Sequence, residues 1–322
     1  MNRIARVSAA CLLLVLGCST RETPQPGSKA STSGSPSIAS SSEKGGAKPA
    51  GNPEGTGRVG TTGPNGTVFG KRAPSVGDKW EEVVSMTMAM ETTVGAQGKG
   101  SPQKATMEKK EVETRREEVL AVQGDAITKV GVSFVEKSSL VKEDGKERKR
   151  RSPAEGKTYV VEAKDGKVVV LVAGGGKPAP VAEAKDVKEA LEMLGKPDPL
   201  LMGIPARPLK EGEEVPELGK AMREFVLLRA KGMQVSDVKV VFRGTKGEEG
   251  IFDVEVGLAA LEKPLRFDMK LKGEARMRVA TGQPLGTVLR GTLSVSSVEA
   301  DASDLKISGT GTVEMRMDRR HL

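Results

Sequence analysis

Two thiols and one imidazole are the whole stock of side chains suited to nucleophilic or soft-metal chemistry in this 322-residue chain. Cys11 lies inside an apolar run, Cys18 ends that run, and His321 stands beside the C-terminus. A Ser-His-Asp or Cys-His constellation needs a histidine held beside the nucleophile. A histidine at the chain end is expected to fray instead. Structural zinc sites draw on clustered Cys and His, and no such cluster can be built from this set. Gly174-Gly175-Gly176-Lys177 lacks the spacing of a phosphate-binding loop and runs into Pro178, so it reads as a flexible turn. Carboxylates are plentiful, at 43, and their number alone marks no acid–base pair. The sequence therefore names no catalytic residue, no metal site and no cofactor.

The chemistry that remains belongs to Cys18. Arg3 and Arg6 form a basic start, and Val7 to Leu16 an apolar stretch too short to span a bilayer. That is the organisation of an export leader. Val15-Leu16-Gly17-Cys18 resembles a bacterial lipobox. The resemblance implies cleavage before Cys18, a diacylglyceryl group on its sulfur and acylation of the new amino group by a fatty acid such as palmitate. Cys11 would be lost with residues 1–17. One acyl chain holds a protein only marginally, whereas several hold it firmly. Ser19, by the same resemblance, favours the outer membrane of a double-membraned cell. The expected location is the cell envelope, with the chain periplasmic or on the outer face of the outer membrane.

Residues 18–66 are rich in Ser, Gly, Pro and Thr. They hold too few apolar groups to offset the entropy of ordering, so a disordered tether is expected, with order beginning near Thr67. Net charge is +8 and aromatics are 2%. Basic residues without interleaved aromatics do not favour nucleic acid. The densest basic run, Lys146-Glu147-Arg148-Lys149-Arg150-Arg151, reads first as a solvated hairpin tip or loop, and second as a contact for anionic lipid headgroups.

From 67 to 322 the dominant period is two. Val84, Met86, Met88 and Met90 alternate with Ser85, Thr87 and Ala89; Val130, Val132 and Phe134 share a face; Leu265, Phe267, Met269, Leu271 and Met277 alternate with Arg266, Asp268, Lys270, Lys272 and Arg276. Such strands have one buried and one wet face. Asp165-Gly166 between Thr158–Ala163 and Lys167–Val172 signals a hairpin. Val187, Ala190, Leu191 and Leu194 fall on one helical stripe, with Asp186 as the expected N-cap and Gly195 and Pro197 beyond. A second short helix is expected around Pro216–Phe225. The expected fold is mainly β: a large curved antiparallel sheet or open half-barrel of long amphipathic strands, covered by one or two short helices. Two β-halves, 67–177 and 210–322, joined by a helical and Pro-rich connection, are an alternative division.

"VGDKWEEVVSMTMAMETTV", "GIPARPLKEGEEV" and "ATGQPLG" together resemble uncharacterised bacterial exported lipoproteins with a β-rich C-terminal domain. That resemblance implies no activity. The functional expectation is a membrane-anchored envelope lipoprotein with a non-enzymatic binding or scaffold role. Its partners would be the bilayer, through acylated Cys18, and an apolar ligand or an envelope protein. The alternative is a carrier of lipid or acyl chains. Met86, Met88, Met90, Met269 and Met277 would line its cavity, since methionine suits adaptable apolar surfaces. The plainer account of the same methionines is filler in a core short of aromatics.

Overall fold

The computed structural model describes residues 58–96, 99–229, 232–262, 265–298 and 305–322, all within one compact unit, Gly55–Leu322. Among these described residues fourteen strands and three helices follow in chain order. They are β1 (Thr61–Gly63), β2 (Gly66–Val68), β3 (Lys79–Ala96), β4 (Lys99–Gln123), β5 (Ala126–Glu143), β6 (Lys146–Arg151), β7 (Thr158–Lys164), β8 (Lys167–Val172), α1 (Val181–Ala190), α2 (Pro199–Met202), β9 (Glu213–Glu214), α3 (Pro216–Arg229), β10 (Met233–Lys246), β11 (Glu249–Glu262), β12 (Leu265–Arg278), β13 (Pro284–Ser297) and β14 (Leu305–His321).

Twelve strands make one antiparallel sheet in the order β8-β7-β5-β4-β3-β14-β13-β12-β11-β10-β9, with β6 added to the far end of β5. The sheet does not close into a barrel. The two β-halves weighed from the sequence are the two flanks of this sheet. They are joined where β14 pairs with β3 from Leu305↔Ala96 to His321↔Trp80. That seam is invisible to local patterning, because it joins the first long strand to the last.

The period-two reading holds along the strands. In β12 Leu265, Phe267, Met269, Leu271 and Met277 are buried while Arg266, Lys270 and Lys272 are exposed. The outer face pairs its charges across strands: Lys272 with Glu255 at 2.8 Å, Arg290 with Glu314 at 2.7 Å and Lys104 with Glu91 at 2.8 Å. The helices pack chiefly on β8 and β10, at the flanks. Met88, Val313, Leu293 and Met269, on the central strands, are nonetheless buried. A twisted sheet of this width is expected to curl over its apolar face, and Phe69 adds cover by packing on Phe242 and Phe252. Glycines allow neighbouring strands to approach closely. A Cβ on Gly273 would stand 1.8 Å from the Val288 carbonyl oxygen, and one on Gly291 1.8 Å from that of Lys270. Asp165-Gly166 forms the expected tight turn, with φ of 51° and 72°, the mirror-image geometry favoured in two-residue hairpins.

Three expectations are corrected. Order begins before Thr67: β1 and β2 form a hairpin. It is held by backbone bonds from Thr67 N to Leu209 O (2.9 Å) and Gly60 N to Ala280 O (3.1 Å), and by Arg58, whose side chain donates to the carbonyls of Phe69, Pro205 and Ala206. The first helix starts at Val181, N-capped by Pro180, so Asp186 lies inside it. Asp186 instead accepts a hydrogen bond from Ser152 Oγ at 2.5 Å. The first turn is held by Glu183, which takes Tyr159 Oη–H and Lys157 Nζ, each at 2.7 Å. Third, His321 is not a frayed end. It pairs with Trp80 in the ladder, and Leu322 N donates to Lys79 O at 3.0 Å. The basic run at 146–151 forms strand β6, exposed throughout.

Candidate functional site

Three adjacent strands bring charge to the inner face near one end of the seam. Ladder register places Glu82 of β3 opposite both Arg115 of β4 and Arg319 of β14, and Trp80 opposite both Glu117 and His321. Side chains opposite one another in a ladder share a face. Glu82 is fully buried, and Arg115 and Glu117 are nearly so. Arg115 spreads its guanidinium over three carboxylates: Nε donates to Glu117 at 2.5 Å, Nη1 to Glu113 and Nη2 to Glu82. Glu82 also accepts from Arg319 Nη2 at 2.5 Å and Nε at 3.0 Å. Glu113 accepts from Lys137 Nζ at 2.6 Å. Three carboxylates thus face three cations. Burial alone pulls Arg115 below its ordinary value, and Glu82, Glu117 and Glu113 more than reverse this. Burial pushes Glu113 up, but Arg115 and Lys137 hold it below the usual carboxylate range. Burial opposes the charge on Arg319, and Glu82 and Glu117 hold its value up. Arg115, Glu113 and Arg319 are each held ionised by their neighbours, which suits a structural device better than a proton donor or acceptor.

This cluster forms one wall of a cavity of about 130 Å³. Trp80, Arg115, Glu117 and Arg319 stand on the polar side, and Ile127, Val130, Leu191, Leu194 and Leu201 on the apolar side. α1 and the turn after it supply Leu191 and Leu194 because their stripe packs on Val130, Tyr159 and Val161. Gly195, at φ 83°, ends that turn by donating its amide to Ile127 O at 2.8 Å. Arg319 lies 5.2 Å above the Trp80 ring, a cation–π stack. Trp80 Nε1 is buried and has no acceptor. The carboxylates of this wall are engaged: Glu117 by Arg115, Asp78 by Arg72 at 2.5 Å, and Asp198 by the Leu200 amide at 2.9 Å. The arrangement can hold a small apolar group. Asp125, an exposed carboxylate, also lines the cavity.

The methionines singled out from the sequence lie elsewhere. Met88, Met90, Met269 and Met277 are 3–5% exposed, Met86 is half-buried, and none of the five lines this cavity. Met86 and Met88 stand opposite Met315 and Val313 across the seam, while Met269 and Met277 both sit on β12, two strands beyond β14. Cys18 and the residues around it lie outside the described residues. Among the described residues no group of His, Cys, Asp or Glu could hold a metal ion.

No family model matches the chain. No curated protein matches it either. The site must be read from its own geometry.

Sequence patterning missed the charge cluster, yet a signal was present. Glu82 is in phase with Val84, Met86 and Met88, and Arg115 and Glu117 are in phase with Val119. A charge on the apolar phase of a long strand is either a register break or a buried ion. Only the partner strand, far away in sequence, decides which.

Proposed function

We propose that the chain is an envelope lipoprotein, anchored through acylated Cys18, whose β-domain binds or scaffolds a partner without catalysing a reaction. The anchor rests on the basic start, the apolar run and Val15-Leu16-Gly17-Cys18. The location that follows is the periplasmic or outer face of the outer membrane. No helix among the described residues is long and apolar enough to cross a membrane, so attachment through the lipid is the economical account.

The observation that favours a platform over a carrier is the burial of the methionine face. Lipid cargo needs open apolar volume, and pockets for drug-sized ligands run from about 300 to 1,000 Å³. Here Met88, Met90, Met269 and Met277 are packed inside, and the cavity beside Arg115 measures about 130 Å³, near the size that holds one small ring. A transported acyl chain does not fit that space.

Two measurements test the reading. Cells fed labelled palmitate should label the wild type and leave Cys18→Ser unlabelled, with the variant released from the membrane fraction. Equal labelling would remove the anchor. The purified chain should give no saturable signal with a fluorescent fatty acid. Stoichiometric, competable binding would replace the platform with the carrier.

A further inference from the structure

Ion pairs tie many of the outer cations, and the unpaired ones are densest at one place. Arg243, Arg266, Lys272, Arg290 and Arg316 each meet a carboxylate on their own or a neighbouring strand. In β6, Lys146, Arg148, Lys149 and Arg150 meet none among the described residues, and only Arg151 does, with Glu155 at 3.5 Å. All six residues of β6 are exposed. The strand pairs with β5 alone, Ser138↔Arg151 to Glu143↔Lys146, so its other edge is open. Along β5 no residue after Phe134 is buried, so this end of the sheet stands clear of the core. Strand alternation sends Arg148 and Arg150 to one face and Lys149 to the other. Exposed Lys110, two strands away in the same ladder row as Leu140 and Lys149, extends the second face.

Charged edge strands also serve to discourage edge-to-edge pairing. That purpose is met by charges of either sign, and single exposed lysines such as Lys270 also stand elsewhere on the sheet. β6 instead gathers four cations around one carboxylate, Glu147, beside an end of β5 with no buried residue. We propose that the β5–β6 ribbon is a docking surface for an anionic phospholipid bilayer. Its cations would lie against the headgroup phosphates, and half-buried Leu140 and Val141 sit behind them. The choice of a bilayer rests on the lipid anchor proposed above, which would keep the domain close to a membrane. Ribbon and anchor would then be two weak attachments acting together, and the ribbon would set how the domain lies.

The test separates the two attachments by using the full chain with Cys18→Ser throughout. This parent is compared with a version also carrying Lys146→Gln, Arg148→Gln, Lys149→Gln and Arg150→Gln. Both are sedimented with phosphatidylcholine vesicles, with and without about 30% phosphatidylglycerol. Any contribution of the apolar leader is common to both chains. At low salt the parent should partition into anionic vesicles about 600-fold more strongly than the quadruple variant, at roughly fivefold per cation. The difference should vanish near 0.5 M salt, where the screening length falls to about 4 Å. If the quadruple variant fails to fold, the doubles Lys146→Gln/Lys149→Gln and Arg148→Gln/Arg150→Gln should each lose about 25-fold. Equal partition of parent and variants overturns the proposal. So does parent binding that is indifferent to phosphatidylglycerol, or salt-sensitive binding to polyglutamate with none to vesicles, which would make the ribbon a dock for an acidic protein. Failure of palmitate labelling with vesicle binding intact would remove the anchor and leave the ribbon standing.

Discussion

The two flanks of the sheet share one pleat and fill it differently. On the β10–β13 side the inner face is entirely apolar: Phe242, Phe252, Val254, Val256, Leu258, Phe267, Met269 and Leu271 are all buried. Phe69, just after β2, caps it, edge-on to Phe242 at 5.7 Å and 84°. Gly250 leaves room for that ring, since a Cβ there would stand 2.1 Å from it. On the β3–β5 side the same inner face carries Glu82, Lys109, Arg115 and Glu117. The apolar flank is held by burial, which is non-directional and accepts any similar volume. The charged flank is held by matched partners, and a buried ion left without its partner is costly. The contrast separates two ways of specifying register: one by keeping charges out, the other by pairing them within.

Breaking each flank in its own terms sharpens the difference. Met269→Asp should have the largest effect. It buries a charge with no partner on the apolar flank, a cost of several kcal/mol, comparable with the roughly 5–15 kcal/mol that holds a domain folded. The single tryptophan, buried Trp80, reports the outcome by fluorescence in urea. The variant should show no cooperative transition, and a native-like one would mean that Met269 is not inside. Arg115→Met should cost about 3–5 kcal/mol, by leaving Glu117 without its guanidinium and weakening the hold on Glu82 and Glu113. Because protonation relieves the uncompensated charge, the deficit relative to wild type should shrink as the pH approaches 4. A deficit independent of pH would assign the loss to packing instead.

A smaller effect is expected at His321. Burial, and then Arg278, hold its imidazole below the ordinary value. The folded state therefore favours the neutral ring. The stability this contributes is complete above about pH 6.5 and is lost as the pH falls through the lower folded value. His321→Gln should flatten the dependence of urea midpoint on pH between about 7 and 5. An unchanged slope would show that the ring titrates as it does in the unfolded chain. Lys270→Asp, on the wet face, should move stability by less than about 0.5 kcal/mol. A larger loss would mean that the outer charges act as a network rather than as single pairs.

The wet and dry faces were legible because they depend on period alone: Leu265 to Met277 against Arg266 to Arg276 leaves one arrangement that keeps charges out of the core. A helix near Leu191 was legible from the stripe, although Leu191 and Leu194 fall in the turn after Val181–Ala190. Its start was not, because the group that holds the first turn, Glu183, is fixed by Tyr159 and Lys157 rather than by a capping signal. The hairpin at Thr61 was hidden because its glycine- and threonine-rich sequence matches a tether. It is ordered by contacts with Leu209 and Ala280, which no local window includes. The Arg115 cluster needed the pairing of β3 with both β4 and β14, and the second of these spans nearly the whole domain.

That seam has a consequence for how the chain reaches its native state. During synthesis, β3 and β13 each lie beside an open edge until Leu305–His321 is available to fill the gap between them. A chain stopped before β14 would hold two unfinished sheets, with Met88, Met90 and Leu293 uncovered and two unpaired strand edges ready to join another copy. Contacts so distant in sequence also close slowly, since the loop entropy must be met before the ladder forms. β14 therefore acts as a latch, and until it closes the unfinished sheets are prone to associate.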